Sequence, residues 1–195
     1  MGLFSKKPPK TEKRLSNAEI YLNYLEHMFG PSDVIRRMDA AHGQAVHVFY
    51  YHDLPETGML TAVTYGLSEG EHPEWKNGKC ELIVTLGTKN EEWGMAMAFF
   101  AAQFRGEKAF TYGSLFSLDE PMTKESAMNG FFVFAPSFLD QRLSVLPMPD
   151  YKIFLKGLYP MYPEEAAVYR KIGLERFWHH PNFNMYDVNR PQITL

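Results

Sequence analysis

Apolar positions along the chain switch between a helical and a strand period, and the switches mark the elements. The first is Leu15-Ser16-Asn17-Ala18-Glu19-Ile20. Ser16 at the N-cap with Glu19 three residues on is a capping box, which satisfies two backbone donors left free at a helix start, while Leu15 and Ile20 fall at the hydrophobic staple positions. Tyr21, Tyr24, Leu25 and Met28 then share one face, and Gly30-Pro31 stops the helix. Val46 to Tyr51 and Met59 to Tyr65 are rich in β-branched and aromatic residues and are separated by the turn-forming Asp53-Leu54-Pro55-Glu56-Thr57-Gly58. A polar loop from Glu69 to Lys79 leads into a third strand, Cys80 to Leu86. The direct connections predict antiparallel neighbours, because parallel pairing needs a longer crossover.

Helical spacing returns from Glu91 to Phe104, where Trp93, Ala96, Met97, Phe100, Ala101 and Phe104 form one stripe and Gly106 lies just past the end. Such a stripe reads as core. A turn-rich segment follows, then the apolar strand Phe131 to Ala135, closed by Pro136, and a last strand from Tyr151 to Tyr159. Pro163 sits at the favoured first-turn position of a final helix, with Glu164 and Glu165 complementing its dipole. Gly173 is expected to end or bend that helix, with Leu174 to Trp178 continuing as a short helical piece.

Composition narrows the picture. With 195 residues, 45% apolar and 15% aromatic, the chain is rich enough for one packed core without staples. The lone Cys80 excludes an intramolecular disulfide framework and a multi-cysteine zinc site. It reads as a buried strand residue, since no basic cluster flanks it to activate a thiolate. The longest apolar runs, Met95 to Ala102 and Phe131 to Ala135, fall far short of the roughly 20 residues of a membrane span. Met1-Gly2-Leu3-Phe4 leads into lysines, so no secretory signal is read, and the myristoylation pattern is missed by position. A cytoplasmic location and no stable membrane association are the expectation.

Charge is uneven at one place. Residues 1–14 carry a net +4 and read as a flexible basic leader, so the remainder, 15–195, carries −7 and reads as a single domain. A nucleic-acid surface needs a basic face on the folded body. This body is acidic, and no nucleic-acid partner is expected.

Catalytic patterns are scarce: there is no Gly-rich phosphate loop, no Gly-x-Ser-x-Gly elbow and no His-Glu-x-x-His helix. His47, His52 and Asp53 make the most tempting group, the basis of an alternative reading as a metal-dependent hydrolase. Five residues apart on or beside one strand, the two histidines point to opposite faces if the strand is regular. His72 adds a ligand only if the fold brings it close, and His179-His180 reads as a solvated pair near a helix end. The expectation is no catalytic residue, no metal and no cofactor. Tyr50, Tyr51, Trp75, Tyr112, Tyr159, Tyr162 and Trp178 lie near predicted loops or element ends. They read either as an interface, where Tyr and Trp bury large areas with few rotors, or as covers for the sheet edges.

Thr61-Ala62-Val63-Thr64-Tyr65-Gly66-Leu67-Ser68 resembles the T-x-x-T-x-G-x-S signature of the Suppressor of fused (SUFU) domain. Cys80-Glu81-Leu82-Ile83-Val84-Thr85-Leu86, the helix around Trp93, Phe131 to Phe134 and Leu158 to Glu165 resemble later blocks of the family in order and spacing. Tyr186-Asp187-Val188-Asn189-Arg190-Pro191 resembles the tails of bacterial members.

The resemblance implies an α+β fold: a mixed, mainly antiparallel β-sheet flanked by helices on its faces. It also implies a non-enzymatic domain that binds another protein. Animal members hold a peptide between two domains, and this chain ends after what resembles the first. Bacterial relatives resemble immunity proteins, which makes a toxin the sharper partner; an intracellular regulatory scaffold is the alternative. Thr64, Gly66, Ser68 and Glu81 are read as structural, with Gly66 allowing a backbone conformation or close approach that a Cβ blocks. Glu69, Glu71, Glu74, Trp75 and Tyr162 are the candidate partner contacts, although Glu69 to Glu74 also fit a merely solvated acidic loop.

Overall fold

The computed structural model describes residues 14–195; apart from Arg14, the basic leader expected at residues 1–14 lies outside the described residues. Helix α1 spans Asn17–Phe29, and its capping box forms. The Glu19 amide donates to Ser16 Oγ at 3.3 Å, and the Ser16 amide donates to a Glu19 carboxylate oxygen at 2.7 Å. Gly30 closes the helix at φ 81°.

Among the described residues eight strands form one sheet: β1 (Val34–Met38), β2 (Val46–His52), β3 (Leu60–Tyr65), β4 (Lys79–Leu86), β5 (Leu115–Ser117), β6 (Gly130–Phe134), β7 (Val145–Pro147) and β8 (Lys152–Met161). Their order is β1-β2-β3-β4-β8-β6-β5, with β7 also on β8. Every pairing is antiparallel except β4 with β8, which run parallel from Lys79↔Ile153 to Ile83↔Gly157. The sheet is mixed and mainly antiparallel, and the fold is α+β.

Alternation along the strands sorts side chains between the two faces. Val46, Val48, Tyr50, Ala62, Leu82, Val84, Phe131, Val133 and Leu158 pack against α2 (Glu92–Phe104) through Trp93, Met97, Phe100 and Ala101. Phe49, Tyr51, Val63, Ile83, Ile153 and Leu155 point the other way, under Tyr21 and Leu25 of α1. The same face continues over Phe132, Tyr159 and Met161 beneath α3 (Glu165–Trp178). One helix thus covers one face, and two share the other.

The structure departs from the sequence expectation at short or exposed elements. Strands β1, β5 and β7 were not expected. The central residues of β1 are exposed, so it carries no apolar alternation to read, and β5 and β7 are three residues each. Helix α3 begins at Glu165, two residues after Pro163, and Gly173 bends it at φ 78°, a region where a Cβ is strained. Glu165 itself is fully buried and does not serve as a solvated dipole charge.

Candidate functional site

The signature residues meet at one carboxylate. Glu81 on β4 and Thr64 on β3 are both fully buried. Thr64 Oγ1 donates to Glu81 Oε2 at 2.7 Å. Glu81 Oε1 accepts from the Gly66 amide at 2.8 Å, the Ser68 amide at 2.9 Å and Ser68 Oγ at 2.7 Å. Burial pushes the Glu81 carboxyl above its ordinary 4.5, while these four donors pull it down. Gly66 bends the chain at φ 128°, where an added Cβ would lie 2.8 Å from the Ala45 carbonyl oxygen. Arg105, just past α2, donates to the carbonyls of Gly66 at 2.9 Å and His42 at 2.7 Å. The exit of β3 is therefore pinned from two sides.

This pinned turn continues through a 3-10 turn (Leu67–Glu69) into the acidic loop before β4. Glu69, Glu71 and Glu74 are exposed, and Trp75 is half-buried. Two of the three carboxylates already have partners: Glu69 accepts from the Tyr65 hydroxyl at 2.7 Å, and Glu71 pairs with Lys79 Nζ at 2.6 Å. Trp75 Nε1 donates to the Ala109 carbonyl at 2.9 Å, and its ring lies 5.9 Å from that of His72. Three clefts, of about 520, 220 and 520 Å3, surround the loop; Glu74 lines the first two, and Trp75 lines the last two. Trp75 shares one cleft with Glu74 and another with Glu71, while Glu69 lines none of the three.

Tyr162 lies elsewhere. It follows the C-terminal end of β8, whereas Trp75 precedes the N-terminal end of the parallel β4, so the two stand at opposite ends of the strands. Its hydroxyl donates to the Arg190 carbonyl at 2.8 Å, and it lines a separate groove of about 830 Å3. Beside it is a pair the sequence reading missed. Arg190 donates through Nη1 and Nη2 to both Glu165 oxygens, at 2.5 and 2.7 Å, with both side chains out of reach of water. Glu165 also accepts from the Tyr162 and Ile193 amides, which fastens the C-terminal segment to the start of α3. Glu165 and Arg190 each stand inside a block quoted for the family resemblance, which was the available signal.

The other aromatics divide. Tyr50, Tyr51 and Tyr159 are core residues. Trp178 packs against Phe132, Phe134 and Tyr159, and Tyr112 is half exposed.

His47 and His52 are not brought together. Alternation puts His47 on the α1 side of β2 and His52 on the α2 side, at opposite ends of the strand. His52 lies 3.4 Å from Asp33 and 3.6 Å from Glu91, at the C-terminal end of β2. Among the described residues no three His, Cys, Asp or Glu side chains form a group that could hold a metal ion. Cys80 is buried, and desolvation pushes its thiol well up, away from a reactive thiolate. No helix among the described residues is long and apolar enough to cross a membrane.

Comparison with known proteins places this geometry in context. The model of one protein family, Suppressor of fused protein (SUFU), matches residues 42–191. The fold is similar to that of a SUFU homologue from Neisseria gonorrhoeae FA 1090, with a TM-score of 0.67 at 17% identity, covering 90% of this chain and 96% of that one. A chain of the Sufu-Fu complex aligns with a TM-score of 0.65 at 10% identity, over 90% of this chain and 91% of that one. Drosophila Suppressor of Fused aligns with a TM-score of 0.63 at 10% identity; 96% of this chain covers 53% of that protein, so the chain spans about half its length. No curated protein matches the sequence.

Proposed function

This chain belongs to the Suppressor of fused family, and on that premise we propose that it is a non-enzymatic domain that binds another protein through the Trp75 loop. The observation that carries the reading is the setting of Trp75: half-buried, fixed by its indole hydrogen bond, set between the exposed Glu74 and Lys76, and lining two clefts. A large aromatic held in place loses little freedom when a partner covers it, which is the character of an interface anchor. A protein partner is also consistent with the Sufu-Fu complex, in which a relative of the same fold was solved with Fu. No cofactor enters the reading.

The partner chemistry we favour is basic. Around Trp75 the carboxylates Glu71, Glu74 and Asp150 are interleaved with Lys76, Lys79, Lys152 and Lys156, so the preference comes from the whole body: the chain beyond its first 14 residues carries a net −7. A body of that net charge steers a cationic protein towards it. A toxin neutralised by this protein fits that description, and a regulatory scaffold differs only in the partner held. Tyr162 is the weaker member of the contact set, because a compact partner seated on Trp75 must extend the length of β8, about 30 Å, to reach it. The experiment is to mix the full chain with the basic proteins encoded beside its gene and follow complex formation by size-exclusion chromatography. A stable stoichiometric complex upholds the reading. No complex with any of them, at micromolar concentrations of both, contradicts the toxin-neutralising form.

A further inference from the structure

The smallest of the three clefts has an unusual floor. Its walls are Trp75, Phe110, Phe154 and Cys80, and Lys156 of β8 reaches into it. Lys156 Nζ stands 4.2 Å from the centre of the Tyr112 ring and 5.5 Å from that of Phe154. Among the described residues it forms no ion pair and donates no side-chain hydrogen bond, in contrast to Lys79 nearby, whose charge Glu71 meets. Burial lowers the Lys156 pKa from its ordinary 10.5, against an opposing effect of Cys80, as expected of an ammonium that has lost water without gaining a counter-charge. The aromatic faces hold the cation without using its N–H donors, and all three remain available to an acceptor.

Size and wall chemistry narrow what can enter. At about 220 Å3 the cleft is smaller than the roughly 300–1,000 Å3 of sites for larger ligands, and it suits a single ring or branched chain with a short tail. A bare inorganic anion is disfavoured, because it would give up its hydration for the Lys156 ammonium alone: Lys79 also lines the cleft, but Glu71 already meets its charge. Glu74 lines the same cleft and disfavours a dianion.

We propose that this cleft binds a monocarboxylate carried on a small apolar body, the carboxylate on Lys156 Nζ and the body between Trp75, Phe110 and Phe154. The charge-assisted contact supplies orientation, and the aromatic walls supply area. The same chemistry is offered by a free organic acid or by the C-terminal aromatic residue of a protein. The site stands whether or not the Trp75 loop is the partner surface, because a small acid needs no protein partner.

The test uses the full chain and phenylacetate as the probe, followed by NMR at the Trp75 indole N–H. Saturable binding is expected, about tenfold weaker for the neutral 2-phenylethanol and about tenfold weaker after Lys156→Met. Lys156→Gln is measured alongside, and an unchanged thermal midpoint for either variant shows that the fold is kept. Two further arms use a short peptide ending in a free phenylalanine carboxylate and its amidated twin. Tight binding of the free-acid peptide alone upholds the site and assigns it to a chain end, while binding of phenylacetate without the peptide upholds it for a free acid. No saturable shift with either carboxylate overturns the proposal, as does equal binding of the alcohol or undiminished binding in a folded Lys156 variant.

Discussion

Glu81 accepts four hydrogen bonds in a site closed to water, so its removal leaves several buried donors without a partner at once. Glu81→Ala is expected to cost about 3–5 kcal/mol, a fall of roughly 10 °C in thermal midpoint for a chain of this size. Burial raises the folded carboxyl above its unfolded 4.5, so the stability this group contributes is fully present below that pH and is lost as pH rises through the folded value. Glu81→Gln does not titrate. Its thermal midpoint relative to the unaltered protein should therefore improve between pH 4 and pH 8, and a difference independent of pH would refute the linkage. Arg190 makes the second residue-scale case. Arg190→Met leaves the Glu165 carboxylate buried and uncompensated, at about 3–5 kcal/mol by denaturant titration, whereas Arg190→Met with Glu165→Leu should recover a large part of that loss. At this scale the sequence was informative only where a motif tied residues together. Thr64, Gly66, Ser68 and Glu81 stood in recognisable blocks; Glu165 and Arg190 did too, but in two separate ones, and nothing local announced that they would meet.

Among the elements, legibility followed burial and length. Helix α1 was readable to its first residue, because Ser16 and Glu19 write the cap into the sequence and Tyr21 and Leu25 write the buried face. Ser16→Ala should cost about 1 kcal/mol, or roughly 2–4 °C, with the helix otherwise intact by circular dichroism. Strands β2, β3 and β4 were equally plain, since nearly every residue in them is buried. Strand β1 was not, because Ile35, Arg36 and Arg37 at its centre are exposed and only its end residues, Val34 and Met38, pack against the core. The bend of α3 at Gly173 was anticipated, while its true start was hidden by Glu165 turning inward to Arg190.

For the whole molecule, hairpin connections gave the antiparallel neighbours, but the junction of the two halves of the sheet could not be read. β4 and β8 pair in parallel across all of α2 and three intervening strands, and no local pattern encodes so distant a partner. That junction decides the functional geometry. It brings Lys79 beside Ile153, surrounds Trp75 with clefts and sends Tyr162 to the far end, apart from the loop candidates. The residues of the acidic loop were identifiable as exposed and polar, and Glu81 as an anchor for the adjacent turn; the second hold on that turn, from Arg105 to the Gly66 carbonyl, was not. The central claim, that the protein works by presenting this loop to another protein, is tested most directly by isothermal titration of a captured basic partner against the unaltered chain, Trp75→Ala and Tyr162→Phe. The account predicts about 30-fold weaker binding for Trp75→Ala, with its fold intact, and little change for Tyr162→Phe. Equal affinity for Trp75→Ala and the unaltered chain would contradict it.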